Sequence, residues 1–86
     1  MGEIVVTPTA SAVLHASGQD IEVFLARHQS GDWGEVSEQV RAVNERGLVE
    51  RFNLQSAYST SAGDRLVVIT TADRTLTMVH LGPRVN

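Results

Sequence analysis

Phe52-Asn53-Leu54-Gln55-Ser56-Ala57-Tyr58-Ser59 is the stretch at which the hydrophobic rhythm of this chain changes. Phe52, Leu54, Ser56 and Tyr58 alternate with Asn53, Gln55, Ala57 and Ser59, a period of two that belongs to a strand with one face turned inward. From Pro8 up to it the apolar residues repeat at helical spacing, so the order of the fold turns on this change. Beyond it, Ser59-Thr60-Ser61-Ala62-Gly63-Asp64 is turn chemistry, and Arg65-Leu66-Val67-Val68-Ile69-Thr70-Thr71 is the most strand-like run in the chain. Its nearly continuous apolar centre predicts a strand covered on both faces or placed centrally. Ala72-Asp73-Arg74 is a short turn, Thr75 to Leu81 forms the next strand, and Gly82-Pro83 ends the order, leaving a disordered tail over 83–86.

Three helices precede the strands. Thr7-Pro8 is a helix entry, because threonine caps and proline fits the first turn, and Gly18 supplies a stop, which predicts a helix near 8–17. Asp20 caps a second helix in which Ile21, Phe24, Leu25 and His28 share one face, ending at Gly31. Ser37 caps a third, with Val36, Val40 and Val43 as its stripe and Gly47 as its stop. The β-branched run Glu3 to Thr7 can add a fourth strand to the sheet. The fold class expected is therefore α+β, in one domain spanning 1–86: three short helices followed by an antiparallel three-stranded meander.

Composition narrows the function. At 86 residues the chain buries only about 60–65% of its unfolded surface, which leaves a small core. There is no cysteine, so neither a disulfide nor a thiolate zinc site is available. Seven basic residues, all arginine, against ten acidic ones give a formal charge of -3, which argues against nucleic acid as a partner. Met1 to Pro8 contains no basic leader followed by a long apolar run, and no window approaches the roughly eighteen apolar residues of a membrane span. A cytoplasmic protein without membrane contact is expected.

The remaining chemistry concentrates around His28-Gln29-Ser30-Gly31-Asp32-Trp33-Gly34-Glu35. His28 continues the apolar stripe of its helix, which suits a hydrogen-bonded structural histidine as well as a general base. Asp32 can hold an Asx-type turn, and Trp33 can either cap the core or stand exposed beside the carboxylate as a recognition anchor. Asn44 can cap or bridge to the tryptophan loop. Tyr58 shares a face with Phe52 and Leu54, so its ring packs inward with the hydroxyl at the rim. Asp73 can fix the turn it sits in, with Arg74 either solvated or holding a carboxylate or phosphate in its planar fork. His15, His28 and His80 do not have metal-ligand spacing, the glycines match no phosphate or dinucleotide loop, and no glycine-flanked serine marks a nucleophile. No metal and no cofactor is expected.

Taken together with Asn44, Ser56-Ala57-Tyr58 and the run Ile69 to Thr77, the segment His28…Gly31-Asp32-Trp33-Gly34 resembles a family of small plasmid-related bacterial proteins of unknown function. That family's pattern is His-x-x-Gly-Asp-Trp-Gly, a later asparagine, Ser-x-Tyr, and a closing Thr-Glu-Ala-Asp-Arg with threonines. The match spans roughly residues 7–81. Thr71 stands where the pattern has glutamate, no tryptophan precedes Ile69, and Gly82-Pro83-Arg84 lacks the acidic-aromatic close. Activity carried by those positions would be lost or changed here. The resemblance implies a mobile-element setting and no particular reaction.

Two functions follow as expectations. One is a small non-enzymatic protein of accessory or anti-defence type that binds a protein partner or its own copy, through the Asp32-Trp33 loop or an exposed sheet edge. The alternative is a small enzyme or anionic-ligand-binding protein, with His28 as base, Asp32 orienting it and Arg74 holding the anion.

Overall fold

The computed structural model describes residues 2–82; Met1 and the tail expected over 83–86 lie outside the described residues. β1 (Glu3–Val6) leads into α1 (Pro8–Ser17), α2 (Ile21–Gln29) and α3 (Glu38–Glu50), followed by β2 (Leu54–Ser59), β3 (Arg65–Thr70) and β4 (Leu76–Leu81). The caps read from the sequence are all in use. Thr7 Oγ1 accepts the Ala10 N–H at 3.3 Å, Asp20 accepts that of Glu22 at 3.0 Å, and Ser37 that of Val40 at 3.2 Å.

The third helix runs past its expected stop. Gly47 lies inside α3, and Arg51, at φ 58°, takes the left-handed cap and donates its N–H to the Gly47 carbonyl. Gly47 is buried because a Cβ there would stand 3.2 Å from a Leu54 methyl and 3.3 Å from Phe52 Cβ. The glycine serves close packing, not chain reversal. The stripe of α3 also differs from expectation. Val43 is 50% exposed, and the buried seam passes through Asn44 and Gly47, with Val40 half-buried.

The sheet has the order β1-β4-β3-β2. β2, β3 and β4 form the antiparallel meander, but β1 joins β4 in parallel, with Ile4 opposite Thr77 and Val6 opposite Val79, so the sheet is mixed. Alternation of side chains carries no information about strand direction. What decides the placement is that the β2 edge is occupied by α3 and the loop before it, leaving β4 as the free edge. The long connection from β1 to β4 satisfies what a parallel pair requires.

Leu54, Ser56 and Tyr58 of β2, Leu66, Val68 and Thr70 of β3, and Thr77 and Val79 of β4 share the inward face. They meet Ala10 and Leu14 of α1 and Phe24 and Leu25 of α2, with Val6 and Ile21 at the margin. Burying a large side chain of this kind contributes about 1.5–3 kcal/mol. The opposite face carries the row Val5, Met78 and Ile69 across three strands.

Candidate functional site

The alternation that puts Leu54 and Tyr58 inward also turns Ser56 inward, and helical spacing brings His28 onto the same interior. The His28 ring bridges two strands: Nδ1 shares a hydrogen bond with Ser56 Oγ at 2.5 Å and Nε2 with Thr70 Oγ1 at 2.9 Å. Thr70 Oγ1 continues to Thr77 Oγ1 at 2.8 Å, completing a polar line across β2, β3 and β4. All four residues are buried. Burial, with a smaller push from the nearby Arg74 charge, lowers the His28 pKa to about 4, so the ring is neutral at physiological pH. Thr70 and Thr77 escaped the sequence reading, although an inward threonine opposite another in adjacent strands is a recognisable signal once register is known.

Trp33 is 3% exposed and is therefore not a surface anchor. Its indole N–H donates to Glu45 Oε1 at 3.0 Å, and its ring meets that of His28 edge-on, with centroids 5.7 Å apart. The rest of the loop is a clasp. Asp32 Oδ1 accepts the Gly34 N–H, the turn expected of it, while Oδ2 accepts from Arg27 Nε at 2.8 Å; that guanidinium holds the carboxyl below its usual range. The Asp32 carbonyl accepts the Tyr58 hydroxyl at 2.6 Å, and Arg27 lies over the Tyr58 ring at 4.5 Å. Burial raises the Tyr58 pKa.

Gly34, at φ 72°, lets the loop backbone cross directly over Ala57, where any Cβ would collide with the Ala57 carbonyl. Ala57 N–H donates to the Trp33 carbonyl at 3.0 Å, and Glu35 N–H to the Ala57 carbonyl at 2.7 Å. Two residues along the same edge, Asn44 Nδ2 donates to the Gln55 carbonyl at 2.7 Å and its Oδ1 accepts the Gln55 N–H at 3.0 Å. The amide thus completes the β2 ladder as a short strand would. Asn44 does not reach the tryptophan loop; its neighbour Glu45 does.

In the β3–β4 turn, Asp73 Oδ1 accepts from the Thr71 and Thr75 hydroxyls at 2.8 and 2.7 Å and from the Thr75 N–H at 3.1 Å. Those donors, Thr75 foremost, hold its carboxyl down at about 2. Arg74 is not a solvated side chain. Its Nη1 donates to the carbonyls of Phe52 and Thr71, at 2.7 and 3.1 Å, and Nη2 to that of Gly47, at 2.8 Å, tying the turn to the end of α3.

Of the residues singled out in the sequence, His28, Trp33 and Arg74 converge on one cleft of about 350 Å³, where Leu48, Leu54 and Thr70 join them. Asp32 and Tyr58 do not line it, and the Asp32 carboxylate is engaged by Arg27 rather than by His28. The arrangement His28–Asp32–Arg74 envisaged for an enzyme is therefore not assembled. Among the described residues no group of three His, Cys, Asp or Glu side chains could hold a metal ion, and no helix is long and apolar enough to cross a membrane.

No family model, curated protein or solved structure matches this chain. What the geometry defines is a two-layer α+β domain with a buried polar line, one sealed sheet edge and, among the described residues, one edge without a paired strand.

Proposed function

We propose that this chain is a small protein-binding domain without catalytic chemistry, receiving an extended segment of a partner protein as an added strand along β1. The contrast between the two sheet edges carries this reading. β2 is closed by the Trp33–Glu35 backbone and the Asn44 amide. On β1, the N–H groups of Glu3 and Thr7 donate to the carbonyls of Thr75 and Val79, so the alternate residues Ile4 and Val6 direct their N–H and C=O groups outward. Exposed edges are ordinarily guarded by shortness, charged side chains, proline or a bulge; β1 is four residues long and carries Glu3 at its start, while Ile4-Val5-Val6 has no charge, proline or bulge. Ile4 and Val5 are 42% and 38% exposed.

The row Val5, Met78 and Ile69 offers apolar contact beside the edge, and the formal charge of -3 favours a neutral or basic segment. On the catalytic side, both His28 nitrogens are engaged by hydroxyls and Ser56 is wholly buried, so these two do not form a reachable nucleophile–base pair. The motif resemblance supports an accessory or anti-defence role in a bacterial mobile element, exercised in the cytoplasm on a host or plasmid protein.

Selection of displayed peptides on the immobilised domain, repeated on Ile4→Pro, tests this. Proline at position 4 removes an outward N–H and leaves the β4 ladder intact. Selected peptides should be rich in β-branched residues, slow amide exchange at Ile4 and Val6, and lose about tenfold or more in affinity on Ile4→Pro. Peptides that bind both proteins equally, or protection of those amides by self-association alone, would overturn the proposal.

A further inference from the structure

The cleft beside His28 has a composition that strand addition does not use. Its cation is Arg74. Three other arginines are engaged in ion pairs: Arg27 with Asp32, Arg41 with Glu38 and Arg46 with Glu50. Arg74 is in none of the ion pairs among the described residues, and the adjacent Asp73 carboxylate is turned into its own loop by Thr71 and Thr75. Three carbonyls fix the guanidinium and offset part of its charge. A guanidinium has five N–H donors, so Nε–H and one N–H of Nη2 remain beyond those three bonds.

Among the described residues no carboxylate lines this cleft, whereas Trp33, Leu48 and Leu54 give it an apolar wall. Leu48 is 54% exposed and stands where a ligand can reach it. Apart from Arg74, the polar part of the lining is uncharged, and His28 and Thr70 are fixed in it, because neutral His28 is held on both nitrogens and Thr70 is held by His28 and Thr77. The Glu45 carboxylate is held by the Trp33 indole N–H, and a fixed cation with spare donors beside an apolar wall is a preformed site for an amphipathic anion. The volume, about 350 Å³, is at the small end of ligand sites.

We propose that this cleft binds a small organic carboxylate, with Arg74 holding the carboxylate and Trp33, Leu48 and Leu54 covering an aromatic or branched aliphatic body. The Arg74 backbone, at φ 63°, lies in a region that non-glycine residues seldom occupy. That conformation is part of how the turn presents the guanidinium beneath the end of α3.

An amide and side-chain NMR titration of the full chain with benzoate and with its neutral counterpart benzamide tests the assignment. Benzoate should give saturable shifts at the Trp33 indole N–H, the Leu48 amide and the Arg74 Nε–H, with benzamide about tenfold weaker or worse. Because a carboxylate beside Arg74 would counter its field on His28, saturation with benzoate should also raise the His28 pKa. Leu48→Glu alters an exposed helical position, so the fold should persist while a carboxylate at the mouth weakens benzoate by about tenfold or more. Equal shifts from benzoate and benzamide, shifts located elsewhere, or undiminished benzoate binding by folded Leu48→Glu would each overturn the proposal.

Discussion

Lowering the pH should destabilise this domain in a window set by His28. The folded protein holds this ring near a pKa of about 4, against 6.5 for the free side chain. A folded pKa below the unfolded one means that the unfolded chain takes up the proton first. The contribution is therefore fully present above pH 6.5, is lost as pH falls from 6.5 to about 4, and is flat below that. At about 1.4 kcal/mol per pH unit, the whole window is worth about 3 kcal/mol, of which about 2 kcal/mol is gone by pH 5. That is a large share of a small domain's stability. Asp73, whose carboxyl is held at about 2, contributes stability that is lost only below its ordinary pKa of 3.8, outside this window. Urea unfolding followed by Trp33 fluorescence from pH 7.5 to 4.5 measures the loss, and the His28 ring resonances give the titration directly. Stability unchanged between pH 7.5 and 5, or a folded-state His28 titrating near 6.5, would refute the burial argument.

Two substitutions probe the clasp around β2. Trp33→Ala removes a buried indole together with its bond to Glu45, and should cost about 3–5 kcal/mol and lower the melting temperature by more than about 12 °C; a loss under about 1 kcal/mol by circular dichroism would return the ring to the surface. Asn44→Leu fits the volume but leaves the Gln55 N–H and C=O without their partner, so a loss of about 2–4 kcal/mol and faster exchange of the Gln55 amide are expected, whereas unchanged exchange there would refute the edge-closing role.

The helices and the meander were legible because each rests on local signals: Thr7, Asp20 and Ser37 as caps, and an alternation from Leu54 to Tyr58 that only one register can bury. The errors share a physical cause. Gly47 reads as a helix stop because glycine tolerates left-handed backbone, yet here it admits Leu54 and Phe52 against the helix, a requirement set by residues distant in space. Val43 completes an apolar stripe on paper, but α3 meets the edge of β2 rather than a sheet face, and an edge is satisfied by an amide, which is why Asn44 is buried in its place. The site was legible in its members and not in its partners. His28 and Arg74 were singled out, but their hydroxyl and carbonyl partners come from β2, β3, the end of α3 and the loop that follows it. Hydrophobic periodicity does not encode which polar groups will face each other.

Magnitudes constrain how β1 can bind a partner. Ile4 and Val6 together offer two N–H and two C=O groups, hence at most about four main-chain hydrogen bonds at a net 0.5–1.5 kcal/mol each. The resulting sum of about 2–6 kcal/mol must also cover the cost of ordering an extended segment, so backbone pairing alone gives no stable complex. The missing affinity has to come from side chains on the open face, where Val5 and Met78 stand opposite one another and Ile69 extends the row. Specificity then resides in alternate residues of the partner, those that point toward this row, while the residues between them are read only as backbone.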